Sequence, residues 1–173
     1  MRRKLRVAAY AVCVRDGQLL LARSPAPDGT PEWVLPGGGM ESGEDPYDTV
    51  RREVTEETGY RVEVTGLLGA DSLRLTLPGR PFGRATPYHA LRLVYEGRIA
   101  GGELRNEVNG STDLAAWHDL TAVPALKRVP LIDIALRLWR ERPPTGHLEA
   151  ERPPTGHLEA GHPAAGPEAE AAG

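Results

Sequence analysis

Three glutamates, Glu53, Glu56 and Glu57, are separated by three residues or one, and by four end to end. On an α-helix turning about 100° per residue, all three fall within an arc of roughly 100° and face the same way. Like charges three or four residues apart destabilise a helix by about 0.2–0.5 kcal/mol per pair, and carboxylates in a last turn also oppose the helix dipole. A segment shaped by stability alone would carry lysines there. Hard divalent cations take oxygen ligands, so the three carboxylates read as a Mg²⁺ or Mn²⁺ site. The chemistry this implies is metal-dependent work on a phosphate compound. Gly38, Glu44, Arg52, Gly59 and Tyr60 lie in the same stretch and complete the pattern.

The surrounding elements must hold that acidic face in place. Asp45-Pro46 supplies an N-cap followed by proline at the first helical position, and Gly59 fits the left-handed position past a helix end, so a helix is expected from Pro46 to Thr58. Tyr47, Val50 and Val54 form its apolar stripe, beside the acidic face rather than opposite it. Gly37-Gly38-Gly39 is expected to make a tight turn against this helix, after a short strand Trp33-Val34-Leu35 that Pro36 ends. Upstream, Leu5 to Val14 and Gln18 to Ala22 read as a hairpin through the Asp16-Gly17 turn, and Ser24 to Pro31 as a loop. Arg2-Arg3-Lys4 before an apolar run also has the look of a short signal sequence, but the hairpin accounts for more residues.

Downstream, Arg61 to Leu68, Ser72 to Leu77 and Tyr88 to Glu96 alternate as strands, with a loop from Pro78 to Gly83. A short strand at Ala115 to His118 and a closing helix from Pro130 to Arg140 complete a domain over residues 1–140. Glu141 to Ala150 then recurs identically as Glu151 to Ala160, and the remainder to Gly173 is mostly Ala, Gly, Pro and Glu. One ten-residue duplication is too short for a solenoid repeat, so residues 141–173 are expected to be a disordered tail. His147, His157 and His162 in it offer no preorganised metal site.

At 173 residues the chain holds one core without disulfides, and Cys13 is its only cysteine, which suits a reducing, cytoplasmic setting. A formal charge of −3 gives no reason to expect a nucleic-acid polymer as partner, and no apolar run is long enough to span a membrane.

The order Gly38, five residues, Glu44, seven residues, then Arg52-Glu53-Val54-Thr55-Glu56-Glu57-Thr58-Gly59-Tyr60 resembles the signature of the Nudix hydrolase family. All seven fixed positions are filled; Tyr60 stands where an aliphatic residue is more usual. Trp33-Val34-Leu35-Pro36-Gly37-Gly38 is similar to the family's approach to that signature. The resemblance covers the domain, not the tail, and implies an α/β fold, an α/β/α sandwich around a central mixed β-sheet. It also implies hydrolysis of the diphosphate linkage of a nucleoside diphosphate joined to another moiety, by water attacking phosphorus, with Mg²⁺ as cofactor (or Mn²⁺). By carry-over Glu53, Glu56 and Glu57 are the metal ligands, Glu57 or Glu56 positions or deprotonates the water, Glu44 is an outer ligand or orienting group, and Arg52 pairs with a neighbouring glutamate. Homodimers are frequent in the family, so a homodimer is compatible with it.

Many members take a further acidic residue from a loop before the last strand. Glu103, Glu107 and Asp113 are available, with Glu107 preferred. For substrate phosphate the choice is Arg23, ahead of Arg92 and Arg84, together with the amides of Gly37, Gly38 and Gly39. Trp117, Trp33 and Tyr88 are candidates to stack on a base, each also readable as core. The rival to catalysis is a non-catalytic nucleotide-binding sensor on the same scaffold, but such modules commonly lose a glutamate of the set, and none is lost here. The pattern does not choose among nucleoside diphosphate derivatives.

Overall fold

The computed structural model describes residues 4–25, 29–77 and 86–149. Strand β1 (Lys4–Val12) leaves its sheet at Cys13, and β2 (Val14–Arg15) joins a different one. The expected single strand through Val14 is therefore two. Asp16 and Gly17 both take positive φ, 51° and 77°, as a tight hairpin turn requires, and lead into β3 (Gln18–Pro25). Strands β4 (Pro31–Val34) and β5 (Gly37–Gly39) follow, then helix α1 (Pro46–Thr58), with the bounds that its caps imply. The Asp45 carboxylate accepts a hydrogen bond from the Asp48 amide at 3.0 Å, and Gly59 closes the helix at φ 76°.

Strands β6 (Tyr60–Leu77) and β7 (Thr86–Gly102) form a long antiparallel pair, followed by β8 (Leu114–Asp119), a short 3₁₀ turn at Val123–Ala125 and helix α2 (Pro130–Glu141). The two strands expected at Arg61–Leu68 and Ser72–Leu77 are one. Irregularities between Val64 and Gly66 and between Leu67 and Gly69 absorb the residues that break alternation. The central sheet has the order β5-β1-β7-β6 and is mixed, since β1 and β7 run parallel while the other pairs are antiparallel. The second sheet pairs β3 with β2, β4 and β8, all antiparallel.

Each face of the central sheet has its own core. Val50 and Val54 of α1 pack with Ala9, Ala11, Cys13 and Val62. Leu131, Ile132, Ala135 and Leu138 of α2 pack with Val12, Val94 and Leu68 on the other face, together with Leu19 and Leu21 of β3. The layers are α/β/α, and α1 is pinned through Val50 and Val54, while Tyr47 of the expected stripe is exposed, so that its carboxylate edge faces β5. Burial pushes the Cys13 thiol up to about 12, which makes it an inert packing group. No described helix is long and apolar enough to cross a membrane.

The expectation of a disordered tail from Glu141 onward is corrected for its first nine residues. Arg142 ends α2 in the left-handed conformation and its Nη1 donates to Glu96 of β7 at 3.0 Å, where the Trp139 indole N–H donates as well. The chain then turns back, the Ala70 amide donates to the Gly146 carbonyl at 3.0 Å, and Leu148 packs against the α2-side core. Residues 150–173, with the second decapeptide, lie outside the described residues, as do Arg84 and the expected loop at Pro78 to Gly83.

The Glu96 contact carries a pH signature. The Arg142 guanidinium holds the Glu96 carboxyl below its ordinary 4.5. A carboxyl depressed in the folded state contributes stability above its unfolded value that is lost as pH falls through the folded one. Glu96→Gln should therefore flatten the loss of stability below pH 4.5 in denaturant titrations taken at a series of pH values. The change should be modest, because Arg142 is half exposed.

Candidate active site

Arg52 is the hub of the acidic cluster. Its Nε donates to Glu44 Oε1 at 2.6 Å and its Nη2 to Glu44 Oε2 at 3.0 Å, a two-pronged pairing that matches the guanidinium fork to the carboxylate plane. Its Nη1 reaches Glu53 at 3.0 Å and Glu56 at 3.1 Å. Glu44 Oε2 also accepts from the buried Thr49 hydroxyl at 2.9 Å and from the Glu41 amide at 3.0 Å, and the Arg52 guanidinium first, then the Glu41 amide and the Thr49 hydroxyl, hold its carboxyl down at about 2. Glu44 is thus an anchor for Arg52 with both oxygens engaged. Thr49, which the sequence pattern did not single out, is the second anchor. Its one signal is a small polar residue one turn into a helix whose neighbour Val50 is core.

Glu57 is the buried member, 2% exposed, and accepts from the Gly37 amide at 2.9 Å. Burial is the main cause that pushes its carboxyl up to about 8, with the charges of Glu53, Glu107 and Glu56 adding to it. Burial also raises Glu53. Glu56 is exposed.

The tight turn expected of Gly37-Gly38-Gly39 is corrected to a strand, β5, paired with Ala8 to Tyr10 of β1. The glycines are needed for close approach. A Cβ on Gly37 would lie 2.3 Å from the Ala9 carbonyl, one on Gly38 2.5 Å from Glu53 Oε1, and one on Gly39 2.8 Å from the Arg6 guanidinium. Gly37 also sits at φ 144°, outside what side chains favour. The strand brings backbone amides against the acidic edge of α1.

The NUDIX domain model matches residues 3–139. The chain belongs to the NUDIX family. It is 36% identical over 136 residues to an NAD-capped RNA hydrolase NudC of Chromobacterium violaceum, covering 76% of this chain and 44% of that one. It is 51% identical over 63 residues to a MutT-like protein of Streptomyces ambofaciens, covering 36% and 40%. The chain thus spans less than half the length of these two curated relatives. The crystal structure of a MutT NUDIX hydrolase from Burkholderia pseudomallei superposes with a TM-score of 0.60 at 30% identity, covering 79% of this chain and 98% of that one.

The remaining candidates in this NUDIX chain separate by position. The loop between β7 and β8 is stitched to the end of α1, since the Arg105 amide donates to the Thr58 carbonyl at 3.0 Å. That brings Glu107 close enough for its charge to act on Glu53 and Glu57. Its carboxylate meanwhile accepts from the Thr112 amide and hydroxyl at 3.0 and 2.9 Å. Glu103 is exposed, and Asp113 is taken by Arg23.

Arg23, the substrate candidate, donates from Nε and Nη2 to the two Asp113 oxygens at 2.9 and 2.8 Å, because β3 pairs Arg23 with Leu114 of β8, next to Asp113. Both prongs of its fork are engaged. Arg92 pairs with Asp71 across β6 and β7. Trp117 is a packing residue whose indole N–H donates to the Tyr60 hydroxyl at 3.3 Å, under the Arg15 guanidinium, and Trp33 stands edge-on to His118 at 4.1 Å. Tyr88 pairs with Lys4 in the central sheet.

Among the described residues no three acidic or imidazole side chains converge on one point at ligand distance. Arg52 is the counterion instead, drawing one oxygen each from Glu53 and Glu56. The donor set still suits a hard cation. It is all carboxylate oxygen, and burial first, with the charges of Glu53, Glu107 and Glu56 adding to it, raises the Glu57 carboxyl, a cost that a bound cation would offset.

Proposed function

We propose that this NUDIX chain is a Mg²⁺-dependent hydrolase of the diphosphate linkage in a nucleoside diphosphate joined to another moiety, acting in the cytoplasm. The carrying observation is the carboxylates of Glu53 and Glu57 against the glycine strand β5, with the charges of Glu56 and Glu107 acting on them, more negative charge than Arg52 neutralises. The naming of one relative as an RNA-cap hydrolase supports hydrolysis as the reaction class.

Glu53, Glu56 and Glu57 are the residues that would hold Mg²⁺ or Mn²⁺. When bound, a divalent ion would neutralise charge developing on the diphosphate and acidify a water. Glu57, whose burial raises its affinity for a proton, accepts the proton of the attacking water in preference to the exposed Glu56. Arg52, fixed by Glu44 and Thr49, keeps Glu53 and Glu56 in one arrangement. Gly38 and Gly39 carry no side chains beside this edge, which would leave room for a phosphate to approach, while the Gly37 amide is already engaged by Glu57.

The test is product analysis by mass over a panel of nucleoside diphosphate derivatives, in Mg²⁺ and in chelator. Cleavage that needs Mg²⁺, with ¹⁸O from water appearing on a phosphate product, is expected. Binding of several compounds with cleavage of none would overturn the reading in favour of a sensor. Mg²⁺ should also raise the Tm of the substrate-free protein, because a ligand that binds only the folded state stabilises it by mass action.

A further inference from the structure

The tail segment that docks on the domain is one half of an exact duplication. Arg142 to Leu148 form a strap across the β6 edge of the α2-side core. Arg142 is tied to Glu96, the Gly146 carbonyl takes the Ala70 amide, and His147 and Leu148 stand with Asp71, Ser72 and Leu138 around one groove. The fit is specific to sequence. Gly146 sits at φ 64° and turns through a Pro143 carbonyl to Gly146 amide bond of 2.9 Å. A Cβ on Gly69 would lie 2.2 Å from the Gly146 carbonyl, so the strap approaches where only glycine leaves room. Every residue that makes these contacts recurs ten positions later, as Arg152, Pro153, Gly156, His157 and Leu158.

We infer that the groove beside Gly69 and Ala70 is a docking site for the Arg-Pro-Pro-Thr-Gly-His-Leu segment as such, and that the second copy, residues 152–158 of the same chain, is its alternative occupant. From Pro143 to Leu148 the groove meets the same side chains as from Pro153 to Leu158, so contact energy there does not distinguish the copies. Chain connectivity does, and so does the cap of α2, where the Arg142 amide donates to the Leu138 carbonyl at 2.9 Å. Seating the second copy loops out ten residues, and closing such a loop disfavours it by roughly thirty-fold. The first copy holds the groove, and the second takes over when the first is damaged. Entry into the groove of another molecule exchanges the same contacts while losing the freedom of an independent chain, which favours exchange within the chain.

Deleting either decapeptide leaves the same sequence, so the test uses point substitutions in the full chain. Valine at position 146 or 156 opposes the positive φ. The probe is hydrogen-exchange protection of the Ala70 amide, which donates to the strap. Gly156→Val should leave protection unchanged. Gly146→Val should lower it by up to roughly thirty-fold, to a level still above that of the double variant. Gly69→Ala should match the double variant, because it blocks both copies. Protection in Gly146→Val equal to that in the double variant overturns the inference, as does a Gly146→Val protein that fails to fold. A double variant that fails to fold while Gly146→Val folds supports it. Protection in Gly146→Val that rises with protein concentration places the second copy in a neighbouring molecule and overturns the exchange within one chain.

Discussion

Replacing Glu57 with glutamine should lower kcat by about 10²–10⁴, the range a positioned general base supplies, while the protein folds as before. The glutamine side chain retains an amide oxygen to accept from the Gly37 N–H and fills the same volume, so packing around α1 has no reason to change. Removing the charge relieves repulsion from Glu53, Glu56 and Glu107, and the metal-free variant should be at least as stable as the parent. A pH series adds a second reading. The Glu57 carboxyl rises from an ordinary 4.5 to about 8 in the folded state, so that state binds the proton more tightly than the unfolded chain. Stability from this group is then fully present below pH 4.5 and falls as pH rises to about 8. The glutamine variant should lose that slope, measured in chelator by denaturant titration. The Mg²⁺-induced rise in Tm should shrink in the same variant. Turnover equal to the parent's would refute the role given to Glu57.

Arg52→Lys should lower kcat by about 10–100-fold, the usual effect of losing a group that orients metal-binding side chains, and leave KM nearly unchanged. Lysine keeps the positive charge but not the fork, so it cannot span both oxygens of Glu44 while also reaching Glu53 and Glu56. If Arg52 merely supplied charge, lysine would restore activity. The distinguishing measurement is steady-state kinetics at several Mg²⁺ concentrations. A positioning role predicts that more Mg²⁺ recovers much of kcat in Arg52→Lys, whereas in Glu57→Gln saturating Mg²⁺ restores occupancy only and leaves kcat far below the parent's, because the proton acceptor is gone. Gly38→Ala should behave like Arg52→Lys, since the added methyl would lie 2.5 Å from a Glu53 oxygen and displace it.

What the sequence determined by itself was local in origin. Helix α1 carries its own start in Asp45-Pro46, its own end in Gly59 and its own periodicity, so its bounds and its crowded acidic edge follow from interactions spanning about four residues. The Asp16-Gly17 hairpin and helix α2 are legible for the same reason, and the spacing from Gly38 to Tyr60 was enough to indicate the family. Tertiary structure decided whatever depended on sheet register or on contacts between distant segments. Pairing β5 with β1 turned the glycine triplet from an expected turn into a strand and put the Gly37 amide on Glu57, twenty residues away. Pairing β3 with β8 committed Arg23 to Asp113, a separation of ninety residues that no local pattern records. The Arg105 to Thr58 bond anchors the β7–β8 loop on the helix end and brings the charge of Glu107 to bear on Glu53 and Glu57. The strap at Arg142 to Leu148 is not legible in the sequence because its prolines and glycine read as chain without regular structure. Its order comes from a glycine on β6 that leaves space for it, more than seventy residues upstream. Caps and periodicity act through bonds within a turn, whereas register is settled only when strands bury their faces together, and that burial belongs to the whole fold.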